Sequence, residues 1–269
     1  MSSLNDLFGV KGLTVVVTGG GTGLGLHMAR AFAANGAKVI ITGRRAEVLQ
    51  KAAQDIEGSV IAVPVDVTSP DAAKKIIEAL GENPKLDVLI NNAGIGRPDP
   101  PSTFELPVEK LQEAMLGSLH TTWSDTFHTN VEPIYFLSAG LLHLLAASPT
   151  GGRIINISSM GGQLADPRTY IPAYQASKAA VNHLTRVLAS KLRNHGVRVN
   201  AIAPGYFESE MNDPKDPTSL ISKNVQFVPL KRAGNATDIA GTAVWLASPA
   251  GSYVDGQVIT LDGGRSLAS

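Results

Sequence analysis

A single α/β domain, built on a doubly wound parallel sheet with helices on both faces, is what this chain predicts. Three observations carry that expectation. Short apolar runs of strand length alternate with helical periodicities along all 269 residues. A glycine cluster stands directly between the first apolar run and the first helix. No shift of composition, internal repeat or low-complexity segment marks a second domain.

The elements follow in order. Leu13-Thr14-Val15-Val16-Val17 is a short, mostly apolar run, as suits a strand covered on both faces. Thr18-Gly19-Gly20-Gly21-Thr22-Gly23-Leu24-Gly25 comes next, and a helical pattern runs through Leu26, Ala29, Phe32 and Ala33 to Asn35-Gly36. A glycine turn between strand and helix lets backbone N–H groups face an anion that no side chain obstructs, so a dinucleotide phosphate is expected at Gly19, Thr22, Gly23, Leu24 and Gly25. A plain tight turn is the structural alternative. Ala37 to Thr42 is the second strand, ending in Gly43-Arg44-Arg45. No acid stands between Ala37 and Arg45 to hold a free ribose hydroxyl, whereas Arg44, with Arg45, can receive a 2′-phosphate; NADPH is therefore expected over NADH. Glu47 is the nearby residue that argues otherwise.

Val48 to Ile56 continues as helix, and Ser59 to Val65 is the third strand, closed by Asp66-Val67-Thr68. An acid at a strand's carboxyl end can accept a hydrogen bond from an adenine amino group, or simply serve a turn. Pro70 to Leu80 reads as helix and Leu86 to Ile90 as the fourth strand, followed by Asn91-Asn92-Ala93-Gly94, small enough for a flat group to approach closely. Residues 96–107 hold Pro98, Pro100 and Pro101 and read as an irregular excursion. Trp123 to Ala147 reads as one long helix despite Pro133, with Asn130 inside it at a kink that could free a carbonyl for a water. Arg153 to Ile157, Val197 to Ile202 and Val258 to Leu261 complete seven candidate strands. Ser158-Ser159 ends the fifth and Pro204-Gly205 follows the sixth. Residues 206–228, rich in Asp, Pro and Ser, read as a mobile lid.

Within the helix that starts near Ala173, Tyr174 and Lys178 lie four apart and share a face. An ordinary tyrosine is only about 0.1% phenolate at pH 7, and a nearby lysine cation can lower an acid's pKa by roughly 1–3 units. That would make the phenol a proton donor or acceptor near neutrality. Tyr170 is a decoy, because its +4 partner is Tyr174 rather than a lysine.

Composition excludes several classes. Hydrophobic content of 43% and 27 glycines suit a packed globule. Lys+Arg 23 against Asp+Glu 23 argues against nucleic acid or a membrane surface as partner. Zero cysteines exclude thiolate catalysis and fit a reducing compartment. The first residues show no signal peptide, and Ile134 to Ala147 is too short to span a bilayer, so a cytoplasmic protein is expected. The six histidines have no metal-ligand spacing, so no metal is expected. Ser158 and Ser159 lack the Gly-x-Ser-x-Gly elbow of a serine hydrolase.

Taken together, the Thr18–Gly25 loop, Asp66, Asn91 to Gly94, Asn130, Ser159, Tyr174-x-x-x-Lys178 and Pro204-Gly205 resemble the short-chain dehydrogenase/reductase family from Thr18 to Gly264. The chain is also similar to fungal members of the 3-oxoacyl-reductase-like branch. The resemblance implies a Rossmann-type fold and an NADPH-dependent reduction of a ketone or aldehyde. Tyr174 would be the proton donor, with Ser159 on the substrate oxygen. Lys178 would hold the nicotinamide ribose and acidify Tyr174, and Asn130 would hold a relay water. Val67, Phe207 and Ser209 join the implied cofactor contacts, Ser209 where the family often has a threonine. A homotetramer or homodimer is implied, with the helices from Trp123 and Ala173 as contact faces. The alternatives are an NAD-dependent alcohol dehydrogenase working oxidatively, a member turned to another reaction, and a cofactor-binding scaffold. Substrate choice lies in irregular segments, where Leu164, Tyr206, Phe207 and Met211 hint at an apolar or aromatic ligand.

Overall fold

Seven strands pair into one sheet, parallel throughout, in the order β3-β2-β1-β4-β5-β6-β7. They are β1 (Thr14–Thr18), β2 (Lys38–Gly43), β3 (Ser59–Pro64), β4 (Val88–Asn91), β5 (Gly152–Ile157), β6 (Val197–Pro204) and β7 (Val258–Leu261). The helices are α1 (Leu4–Phe8), α2 (Gly23–Ala34), α3 (Ala46–Asp55), α4 (Ala72–Leu80), α5 (Val108–Leu116), α6 (His120–Asn130), α7 (Glu132–Gly140), α8 (Leu142–Ala146), α9 (Pro172–Leu192), α10 (Leu220–Asn224) and α11 (Ala236–Ala247). This computed structural model describes residues 2–96, 106–166, 171–210, 212–217 and 219–267. Most of the proline-rich excursion, Tyr170 and Met211 lie outside them.

The strands are apolar on both faces because both faces are covered. Val15 and Val17 point into one core with Met28 and Phe32 of α2 and with Ile239 and Leu246 of α11. Val16, between them, points into the other, with Ile76 of α4, Leu137 of α7 and Val181 of α9. Alternate side chains leave a strand on opposite sides, so one apolar run seeds two cores. β1 lies between β2 and β4, so the chain's direction of winding reverses beside it. Sheets of this kind open a crevice at that point, outside the carboxyl ends of the strands.

The expected long helix from Trp123 to Ala147 is three helices instead, α6, α7 and α8. The first break has a direct cause. Pro133 has no N–H to give, and the Ile134 N–H, which a continuous helix would donate to the Asn130 carbonyl, donates to Val131 O at 3.2 Å. Val131 sits at φ −116°, ψ −55°, between the two helices. A second break falls at Leu141, at φ −101°, ψ 1°. It follows Gly140, where an added Cβ would stand 2.6 Å from Ala73 Cβ of α4. The apolar register survives both breaks: Ile134, Leu137, Leu141 and Leu145 are all buried.

Both ends of the 206–228 segment are packed where they are described. Tyr206, Ile221 and Val228 bury themselves with Met160 in a third small core, and Phe207 joins the core under α11. Tyr206 therefore packs into the core, whereas Phe207 packs and also lines the cleft at the carboxyl ends of the strands.

Candidate active site

The glycine turn after β1 is built for close approach. Gly19 at φ +64° and Gly23 at φ +53° adopt the left-handed backbone that a side chain resists. Gly25 serves packing instead: an added Cβ would fall 2.3 Å from Gly19 O and 2.5 Å from Asn92 Nδ2. β4 braces the turn. The Thr18 hydroxyl accepts from the N–H groups of Asn92 (2.9 Å) and Ala93 (3.0 Å), and Asn92 Nδ2 donates to Thr18 O at 2.9 Å. The amide nitrogens of Asn91 and Asn92 are thus engaged in structure, since Asn91 Nδ2 donates to Asn156 Oδ1 at 2.9 Å. The first N–H groups of α2 open towards the turn, where an α-helix leaves them without internal partners.

A cleft of about 870 Å³ runs along the carboxyl ends of the strands. Gly19, Thr22, Gly23 and Leu24 form one wall, and Asn92, Ala93, Gly94, Ser159, Tyr174, Lys178, Pro204, Gly205, Phe207 and Ser209 line the rest. Arg44, Arg45, Asp66 and Val67 line its end beside β2 and β3. Of the residues singled out in the sequence, Gly25 and Asn130 stand one layer behind.

At that end Arg44 and Arg45 are both exposed. Arg45 Nη2 is paired with Glu210 Oε2 at 2.7 Å, and this bond holds its guanidinium pKa above the usual value. Asp66 Oδ1 accepts from Thr68 N (3.0 Å) and Thr68 Oγ1 (2.9 Å), so it does serve its turn. Burial acts to raise the Asp66 pKa, but the Thr68 bonds and the charges of Arg44 and His128 outweigh it and hold the carboxyl below its usual range. The Thr42 hydroxyl, fully buried in the cleft wall, has no partner among the described residues.

At the other end, Ser159 caps the short turn Met160–Gly162 by accepting from Gly161 N at 3.1 Å. Its side chain lines the same cleft as the Tyr174 phenol and acts to lower the pKa of that phenol. Ser158 has turned inwards and donates to Lys178 O at 3.1 Å. Tyr174 and Lys178 share a face of α9, with Lys178 Nζ 5.7 Å from the Tyr174 ring centroid. Lys178 is buried and its Nζ donates to Ile157 O at 2.8 Å. The expected acidification of Tyr174 does not occur in this state. Burial pushes the Tyr174 pKa up, against a lowering by the Ser159 side chain, and burial pushes Lys178 down to about 8. Lys178 is not among the causes that shift Tyr174; its ammonium is turned to the Ile157 carbonyl.

Asn130 closes α6 and grips the strand β4 extension with both amide atoms. Oδ1 accepts from Ile95 N at 2.8 Å, and Nδ2 donates to Ile95 O at 3.0 Å and to Ser177 Oγ at 3.1 Å. Its backbone carbonyl is the one released at the break before Pro133. No group of three or more His, Asp or Glu residues among those described could hold a metal ion.

Thr42, Asp125, His128, Thr129, Glu210 and Asn212 also line the cleft and were not singled out from the sequence. Asp125, His128 and Thr129 stand at i, i+3 and i+4 on α6, a polar stripe readable beside the apolar one. Glu210 carries no local signal. The open glycine cradle, the helix start, the guanidinium pair and the partnerless Thr42 hydroxyl suit an elongated, anionic, hydroxyl-bearing dinucleotide.

Comparison with known proteins agrees. A family model described as Enoyl-(Acyl carrier protein) reductase matches residues 19–266. Short-chain dehydrogenase/reductase PhomF of Diaporthe leptostromiformis is 38% identical, the match covering 97% of this chain and 93% of that protein. Galactitol 2-dehydrogenase (L-tagatose-forming) of Cereibacter sphaeroides is 35% identical over 97% of this chain and 98% of its own length. Among solved structures, the Pseudomonas aeruginosa RhlG/NADP active-site complex superposes with a TM-score of 0.82 at 33% identity, covering 98% of this chain and 100% of that one. The protein with this cleft belongs to the short-chain dehydrogenase/reductase family and is an NAD(P)-dependent oxidoreductase.

Proposed function

We propose that this enzyme reduces a ketone or aldehyde to the alcohol with NADPH as cofactor. The observation that carries the reading is the meeting of Ser159, Tyr174 and Lys178 in the wall of one cleft, with Lys178 Nζ 5.7 Å from the phenol ring centroid. When bound, the dinucleotide supplies the hydride. The start of α2, with Gly19 and Gly23, would hold its pyrophosphate, Arg44 and Arg45 its 2′-phosphate, Asp66 its adenine, Lys178 its nicotinamide ribose and Ser209 its amide. Tyr174 Oη gives its proton to the carbonyl oxygen, and Ser159 Oγ hydrogen-bonds the same oxygen as charge develops on it. A phenol kept protonated by burial suits the reductive direction, which begins by giving a proton away. Asn130 fixes Ile95 in the cleft wall and offers its released carbonyl to a water that resupplies the proton.

A second reading is oxidation of a polyol or sugar acid with NAD. Two observations favour it: Glu210 neutralises part of the guanidinium charge on which the NADPH reading depends, and one relative is named a galactitol 2-dehydrogenase. Among the described residues no helix is long and apolar enough to cross a membrane, which agrees with a cytoplasmic enzyme. Trp123 on α6, Tyr135 and Phe136 on α7 and Val187 on α9 are exposed, which supports a homodimer or homotetramer joined through these helices.

The test combines cofactor and carbonyl panels. NADPH consumption is followed with ketones, sugar ketoacids, quinones and oxoacyl thioesters, and again with NADH. Tyr174→Phe is expected to lose most turnover, a factor of about 10² or more, while binding cofactor normally. A Tyr174→Phe enzyme of near-normal rate removes the phenol from the mechanism. Equal affinities of the wild type for NADPH and NADH remove the cofactor preference.

A further inference from the structure

The reading above gives Arg45 to the cofactor's 2′-phosphate, yet in this structure its guanidinium is already engaged. Arg45 stands at the start of α3 and Glu210 beyond β6, 165 positions later, and their side chains meet at 2.7 Å across the cleft mouth. The carboxylate is held there by its own segment. Ser209 and Asn212 pair backbone to backbone on either side of Glu210, with Ser209 N donating to Asn212 O at 3.3 Å and Asn212 N donating to Ser209 O at 3.0 Å. Two residues earlier, Phe207 is buried and bridges Gly234, where an added Cβ would lie 2.2 Å from the Phe207 ring. Ser209 itself rests on the glycine turn, its Cβ 3.3 Å from the position of an added Gly23 Cβ. Glu210 is thus carried on an anchored turn that crosses the phosphate end of the cleft.

Resting on that reading of the cofactor, we propose that Glu210 is a specificity-determining residue of this enzyme: its carboxylate occupies the Arg45 guanidinium as an internal stand-in for a 2′-phosphate. A ligand bearing that phosphate must displace Glu210, and a ligand with a free 2′-hydroxyl need not. Glu210 therefore weakens NADPH selectively and leaves NADH nearly untouched. It narrows the preference that Arg44 and Arg45 set. The same exchange ties cofactor identity to the turn, because a displaced Glu210 frees the Ser209–Asn212 segment from Arg45. Both side chains are more than half exposed, at 53% and 60%, so water screens the pair. Exposed ion pairs are worth about 0.2–1 kcal/mol, which converts to a gain of roughly 1.5- to fivefold on removing the competitor.

The experiment is a calorimetric titration of wild type, Glu210→Gln, Arg45→Ala and the double variant. The ligands are 2′,5′-ADP, 5′-AMP, NADPH and NADH, at low and high salt. In Glu210→Gln the affinity for 2′,5′-ADP and NADPH rises by roughly 1.5- to fivefold at low salt and that for 5′-AMP and NADH stays constant. The gain disappears in the Arg45→Ala background and shrinks at high salt. Equal effects on all four ligands, in either direction, overturn the proposal and make Glu210 a general clasp or a bystander. So does a selective gain that survives in Arg45→Ala. The two readings fail separately. A wild type that binds 2′,5′-ADP no better than 5′-AMP overturns the NADPH preference without any variant. A clear wild-type preference that Glu210→Gln leaves unchanged overturns only the role of Glu210.

Discussion

Lys178 makes folding stability depend on pH in a direction that can be calculated. In the folded, unliganded protein its ammonium is buried and its pKa falls from 10.5 to about 8. Between those values the unfolded chain holds a proton that the folded chain has released, so stability rises with pH across the window. The full displacement, at about 1.4 kcal/mol per unit, corresponds to roughly 3 kcal/mol. Between about pH 7.5 and 10, where most of the window lies, the gain is roughly 2 kcal/mol. Above pH 10 Tyr174 acts the other way: its folded pKa is raised, the unfolded phenol ionises first, and stability falls again. The measurement is urea unfolding at fixed protein concentration, at steps of pH from 7 to 10.5, for wild type and Lys178→Met. Other titrating groups are common to both proteins and cancel in the difference. Wild type is expected to gain on Lys178→Met as pH rises, by about 2 kcal/mol over the window. A difference that stays flat, or that shrinks with rising pH, refutes the claim that burial controls this lysine. Saturating cofactor supplies a further check, because an ammonium that gains a ribose partner titrates higher and the pH dependence flattens.

Gly25→Ala should destabilise by about 1–3 kcal/mol and weaken nucleotide binding, because its methyl meets the Gly19 carbonyl and the Asn92 amide. Denaturant midpoints and a nucleotide titration check this, and an unchanged midpoint contradicts it. Asp166 and Arg265 form a buried ion pair that joins the loop after Ser159 to the C-terminal turn, with side chains 5% and 1% exposed. Arg265→Met should cost about 3–5 kcal/mol by stranding the carboxylate, and adding Asp166→Leu should recover most of that loss. If the double variant is no more stable than Arg265→Met, stranded charge is not the cause.

What could be read from the sequence was what is decided locally. Each strand announced itself as an apolar run, because a parallel sheet buried on both faces asks for apolar residues at every position, as Val15, Val16 and Val17 show. Tyr174 and Lys178 could be paired because one helix fixes their relation, whatever surrounds it. The glycine turn was legible because only glycine tolerates the φ of Gly19 and Gly23. Contacts made by distant parts of the chain were not legible. Arg45 and Glu210 are 165 positions apart, and Asp166 and Arg265 are 99 apart. The three-helix outcome of Trp123 to Ala147 was not legible either: the apolar register carries one long helix past Pro133, with a kink at Asn130, and the break at Leu141 has no local signal beyond the preceding Gly140, which packs close to Ala73 of α4.

The same division explains why the sequence argument for the phenol had the wrong sign. Spacing alone puts a cation near Tyr174 and predicts a lowered pKa. It cannot say that Lys178 Nζ will be turned to the Ile157 carbonyl, 5.7 Å from the ring centroid, in surroundings that penalise charge on either group. An unperturbed phenol is already neutral near pH 7, and burial moves Tyr174 further from ionisation while it brings Lys178 down to about 8. Such a site does not hold a phenolate in reserve. Under the proposed mechanism the neutral phenol of the free enzyme has a proton to give, and oxidation of an alcohol would first require that proton to leave.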